Sequence, residues 1–177
     1  MNEYKVTIKG IRPLLQNKKV EMETEIKKRG EEKDSPECCK NKLYKLNNKI
    51  VQPAEMIERA MTKNSGQFKM KGAGKKSYKD LIAGSVFVEP EFIEHKNQKW
   101  IVDCRTVVIP ATRGRINRYR PRFDDWELTF NIRTMDDRIS EDILKNILDE
   151  AGRLTGIGDG RAIGMGRFIV TEFKEDK

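Results

Sequence analysis

Along the chain the hydrophobic positions change period several times, and each change marks an element. Tyr4, Val6 and Ile8 alternate with Lys5, Thr7 and Lys9, which predicts a half-buried strand stopped by Gly10 and Pro13. Residues 17–49 lose periodicity; their Lys/Glu content with Gly30 and Pro36 predicts a long loop or a partly helical insertion. Pro53 suits the first turn of a helix that carries Ile57, Ala60 and Met61 on one face and ends near Thr62–Gly66. A Lys/Gly segment follows, then a short helix at Tyr78–Ala83 with Ser77 and Asp80 as its capping signal. Ser85–Val88 and Trp100–Ile109 read as strands, with Glu94–Lys99 a polar turn between them.

Trp126, Leu128, Phe130 and Ile132 alternate strictly with Glu127, Thr129 and Asn131, the clearest strand of the chain. The next helix is equally clear. Ser140 is a good N-cap, Glu141 and Asp142 complement the helix dipole, and Ile143, Leu144, Ile147, Leu148 and Ala151 form one stripe. Ile139 can staple onto Leu144, Gly152 is a stop, and Arg167–Phe173 is the last strand. Without insertions the order is β-α-β-β-α-β. That predicts an α+β, ferredoxin-like antiparallel sheet with both helices on one face and inserted basic segments. The expected organisation is a single domain, 1–177, with insertions at about 14–49 and 63–99 and a basic stretch at about 110–123.

Composition narrows the function classes. Hydrophobic residues make up 37% of the 177, and charged residues 36%, against a usual value of about 25%. No apolar run reaches the roughly 18 residues of a membrane-spanning helix, and the start, Met1–Val6, carries no signal-peptide block. A cytoplasmic protein with no membrane partner is expected. Cys38 and Cys39 are adjacent, Cys104 stands alone and the chain has one histidine, so no zinc-type ligand spacing exists. Neither a metal nor a cofactor is expected.

The net charge of +8 is concentrated rather than spread. Residues 62–79 carry six lysines and no acid, and residues 105–122 carry six arginines and no acid. Such one-signed stretches suit a polyanion. Within 111–123, Arg113, Arg115, Arg118, Arg120 and Arg122 interleave with Tyr119 and Phe123. Arginine pairs phosphates and stacks on bases, and an aromatic ring offers a sequence-tolerant platform. The same alternation also fits a strand pair with Ile116 inward and the two rings packed on a core.

Between the last helix and the last strand, Gly156-Ile157-Gly158 and Gly164-Met165-Gly166 flank five residues. This is not a dinucleotide fingerprint, because the spacing is absent and the loop leaves a helix to enter a strand. Glycines here permit positive φ and close approach of a polymer to exposed amides, with Arg161 and Arg167 adding charge.

The glycine pattern resembles the glycine-rich loop of the RAMP superfamily, the repeat-associated, ferredoxin-like RNA binders of CRISPR systems. The segment Lys49–Ala60 is similar to the one that opens the first helix in the effector backbone subunits of that superfamily. It differs in having Glu55 and Glu58 where Ser and Lys are more usual, which implies weaker nucleic-acid contact there. The basic Arg105–Arg122 stretch also occupies the place, between the two middle strands, of their nucleic-acid-contacting region. The resemblance covers both ends of the domain but not residues 14–48.

It implies a single-stranded RNA or DNA partner, RNA preferred, and copies of the protein along the strand. Arg113, Arg115, Arg118, Arg120 and Arg122 are expected on phosphates, with Tyr119 stacking on a base. The amides of Gly156, Gly158, Gly160, Gly164 and Gly166, with Arg161 and Arg167, are expected to cradle a backbone turn. Lys69, Lys71, Lys75 and Lys76 form a second strip. No catalytic residue is assigned: His95 reads as an exposed turn residue, and nothing near Asp34 fixes its position. The alternatives are a RAMP-type endoribonuclease and a mobile-element structural or regulatory protein.

Overall fold

The computed structural model describes residues 2–19, 34–109 and 111–176. The insertion expected at 14–49 therefore falls partly on residues 20–33, outside the described residues. In chain order the strands begin with β1 (Asn2–Gly10), β2 (Leu14–Leu15), β3 (Lys45–Leu46) and β4 (Lys49–Pro53). Helices α1 (Glu55–Ser65) and α2 (Lys79–Ser85) lead into β5 (Val86–Glu89), β6 (Phe92–Glu94), β7 (Ile101–Val108), β8 (Arg115–Phe123) and β9 (Glu127–Thr134). Helix α3 (Glu141–Glu150) and β10 (Phe168–Glu175) close the series.

The result is an α+β arrangement of antiparallel sheets. A four-stranded sheet in the order β10-β1-β9-β5 carries the core, with Val6 opposite Phe130 and Ile8 opposite Leu128. Alternation puts Tyr4, Val6, Ile8, Leu128, Phe130 and Ile132 into the same buried cluster as Ile57, Ala60 and Met61 of α1 and Leu144, Ile147 and Leu148 of α3. Ser140 caps α3 by accepting from Ile143 N. Two smaller sheets flank this unit, β2-β8-β7 and β3-β4-β6.

Several expectations change at the joints between elements. Pro53 ends β4, paired with Phe92, so α1 starts only at Glu55. A proline lacking its N–H is tolerated at that strand end. The short helix runs Lys79–Ser85 with Tyr78 at its N-cap, because Ser77 is engaged in a bridge to Lys69. Ser85–Val88 does not form a hairpin with the strand at 101–108: β5 joins β9, and β7 joins β8 in another sheet. Gly152 does not stop α3. A π-turn, Ala151–Thr155, continues it, and Gly156 at φ +69° ends it. A Cβ on Gly152 would lie 2.4 Å from Phe168 O, so the glycine serves close packing against β10.

Candidate nucleic-acid interface

The β7–β8 register places Asp103 opposite Arg120, Arg105 opposite Arg118 and Ile101 opposite Arg122, so four arginines and one aspartate share a face. That face is largely self-neutralised. Buried Asp103 accepts from Arg105 Nε at 2.8 Å and from Arg122 Nη1 at 3.4 Å, and Arg122 also holds Asp124 at 2.7 Å. The Asp124 hydrogen bond, ahead of Asp103, raises the Arg122 pKa. The Arg120 side chain is 8% exposed and faces Asp159 of the glycine-rich loop at 3.1 Å, a Coulombic pair without hydrogen-bond alignment. Arg118 Nε lies 3.9 Å from Asp34, which also binds Lys42 and accepts from Tyr119 N. Tyr119 is half-buried. Arg113 and Arg115 alone of the five are exposed, with no ion pair among the described residues. They stand at the hairpin tip, Arg115 about 17 Å along the strand from Arg120 at roughly 3.3–3.4 Å per residue.

The glycine-rich loop closes on itself. Gly156 N donates to Ala151 O, Gly160 N to its neighbour Asp159 Oδ1, Gly164 N to Arg161 O and Gly166 N to Pro13 O. Ile157 N donates to Gly166 O, and Asp159 N to Leu15 O. The two Gly-hydrophobic-Gly runs are the touching sides of this loop: a Cβ on Gly166 would come 1.8 Å from Ile157 O. Backbone-on-backbone packing therefore accounts for the spacing, and these four amides are engaged within the chain rather than offered outward. Arg167 donates to Thr155 O and Arg161 O; burial, then the adjacent Arg161 charge, lowers its pKa. Arg161 itself is exposed.

Beside the loop lies a cleft of about 540 Å³ whose lining includes Lys63, Thr155, Asp159, Gly160 and Arg161. Lys63 comes from the last turn of α1, which is tied to the loop by Asn64 Nδ2 donating to Thr155 Oγ1 at 2.7 Å. Lys69, Lys71, Lys75 and Lys76 are exposed on the connection that follows α1, pinched by Met70 N donating to Lys76 O. The glycine-rich loop thus joins the basic segments: Asp159 reaches the arginine strand, and Thr155 reaches the helix that leads into the lysine connection. Lys63 was not singled out from sequence as a site residue, although it opens the one-signed run 62–79.

His95 is not an exposed turn residue but 1% exposed. Its ring lies 4.7 Å from that of Phe123, and Nε2 is 3.4 Å from both Gln16 Nε2 and Gln52 Oε1. Burial pushes its pKa down to about 4. Ile93 and His95 point inward while Glu94 and Lys96 point out, a period-two alternation hidden inside a charged run.

No family model and no curated protein matches the sequence. Solved structures do. A chain of the type III-B Cmr-β complex bound to cognate target RNA aligns with a TM-score of 0.58 at 12% identity, over 99% of this chain and 61% of that one. Cmr6 from Pyrococcus furiosus aligns with a TM-score of 0.52 at 12% identity, over 94% of this chain and 97% of Cmr6. The chain shares its fold with these two structures. At this identity the likeness is one of architecture, and the chain spans 61% of the length of its Cmr-β counterpart. No described helix is long and apolar enough to cross a membrane.

Proposed function

We propose that this RAMP-type domain binds single-stranded RNA as a subunit of a CRISPR ribonucleoprotein, without cutting it. The strand order β10-β1-β9-β5, which is first, second, third and fourth strand in the sequence 4-1-3-2, supports the ferredoxin-like assignment. One observation carries the binding reading: the cleft between α1 and the glycine-rich loop carries Lys63 and Arg161, next to the only link between the arginine strand and that loop among the described ion pairs, Arg120–Asp159. The strand runs through this cleft, with Lys63 and Arg161 on phosphates and Lys69, Lys71, Lys75 and Lys76 extending the track. Arg118 and half-buried Tyr119 flank it on the hairpin. Arg120, Arg122 and Arg167 hold the fold together instead of the strand.

The test is binding of labelled single-stranded RNA, single-stranded DNA and duplex DNA at several salt concentrations, with cleavage read from the same gel. Single-stranded RNA is expected to bind best and to stay intact. Replacing Lys63 and Arg161 by Ala removes two phosphate contacts. The slope of log K against log salt should then flatten by about 1.4, at roughly 0.7 per contact. An unchanged slope removes the cleft from the binding path.

A further inference from the structure

One group in the cleft beside the glycine-rich loop is of the wrong sign for a polyphosphate. Asp159 lines it together with Lys63 and Arg161, and its side chain is 37% exposed. A carboxylate repels phosphate and, when ionised, only accepts hydrogen bonds. Three contacts hold it in place from within the chain. Asp159 N donates to Leu15 O at 2.8 Å, Gly160 N donates to Oδ1 at 2.8 Å, and Arg120 Nε stands 3.1 Å from Oδ2. An ionised carboxylate offers about four lone-pair sites. Gly160 N takes one, and the Arg120 contact lacks hydrogen-bond alignment. Acceptor capacity therefore remains on a group whose position is already fixed, which is what a preorganised contact requires.

A single strand brings two kinds of donor beside its phosphates, the ribose 2′-hydroxyl and the edges of the bases. The described lining of the cleft has no aromatic ring on which a base would stack. Its one hydroxyl, Thr155 Oγ1, is buried and already accepts from Asn64. Riboses, in contrast, bracket every phosphate, so a sugar lies next to any phosphate held by Lys63 or Arg161.

The geometry points to Asp159 as the residue that tells RNA from DNA, its carboxylate accepting a hydrogen bond from a ribose 2′-hydroxyl. The inference rests on the RNA-binding reading and adds the chemical origin of its preference for RNA. Against deoxyribose the same carboxylate gives up water and gains no donor, so DNA is penalised where RNA is favoured. One hydrogen bond to a charged acceptor corresponds to about 10- to 100-fold in affinity.

Fluorescence anisotropy with three labelled strands of one base sequence tests it: RNA, DNA carrying uracil, and 2′-fluoro RNA. The fluoro strand keeps the sugar pucker of RNA but has no hydroxyl proton to donate. Wild type should bind RNA about 10- to 100-fold more tightly than either of the other two. Asp159→Ala should bring RNA down to their level and leave the salt slope unchanged, since no phosphate contact is lost. Should that variant unfold in a thermal melt, Asp159→Asn, which keeps the shape without the charge, should narrow the preference. A 2′-fluoro strand that binds as RNA does, or an RNA preference that survives at Asp159, overturns the inference. Equal binding of all three strands, with a salt slope still set by Lys63 and Arg161, overturns it while leaving the cleft as a nucleic-acid site. Failure to bind any strand overturns both readings.

Discussion

Gly166→Ala gives the sharpest view of what the paired glycine runs do. Gly166 has φ +69°, and an alanine forced into that region costs about 1–2 kcal/mol. Its Cβ would sit 1.8 Å from Ile157 O, so the two backbones must separate. Overpacking of that kind costs about 1–3 kcal/mol. Separation also stretches the Ile157 N to Gly166 O bond, now 3.0 Å, for about 1 kcal/mol more. Stiffening of the unfolded chain returns about 0.4–1 kcal/mol, leaving a net loss of about 2–5.6 kcal/mol. At roughly 2–4 °C per kcal/mol for a chain of this size, the melt should fall by about 4–22 °C. Gly164→Ala is the internal control from the same motif. Its φ is +80°, but the nearest atom to a Cβ there is the flexible end of Arg12 at 3.9 Å, so only the conformational cost remains. Calorimetry of both variants decides. Equal melting points for the two would refute backbone packing as the origin of the spacing and return these glycines to a role in ligand approach.

Burial lowers the His95 pKa from 6.5 to about 4, so the unfolded chain binds a proton between those values that the folded chain refuses. Stability is therefore full above pH 6.5 and falls as pH drops toward 4, by up to about 3 kcal/mol. Urea melts at pH 7, 6 and 5 read this directly, and His95→Gln should flatten the trend between pH 7 and 5; an unchanged trend would place the titration elsewhere. Arg120→Ala leaves Asp159 without its partner and opens the hairpin's anchor on the loop, so the melt should drop while the salt slope of RNA binding stays put. The opposite pattern, a flatter slope with an intact melt, would put Arg120 on the strand.

What could be read from the sequence was whatever depends on local period. β1, β9 and α3 carry unbroken alternation or a single stripe with a cap, and they stand where the pattern puts them. Pairings between distant segments were invisible. β5 looked like half of a local hairpin because its true neighbour, β9, follows only after the whole β7–β8 excursion. The arginines of β8 looked free because Asp103, Asp159 and Asp34 approach them from β7, the glycine-rich loop and the segment before Lys42. The spacing of the glycines was legible, but its cause was not, since the opposing backbone that excludes a side chain is another part of the same motif. His95 was hidden by its charged neighbours, whose outward alternation is what turns it inward.

The knot around Gln16 has a mechanical consequence. Its amide donates to Val51 O and Gln52 Oε1 and accepts from Tyr44 N, binding the strand next to β8 to the ribbon that carries β4. The long hairpin is therefore clamped at its root like an oar in a rowlock. Force applied at its blade is delivered into the interior as torque, where a floppy tether would have dissipated it.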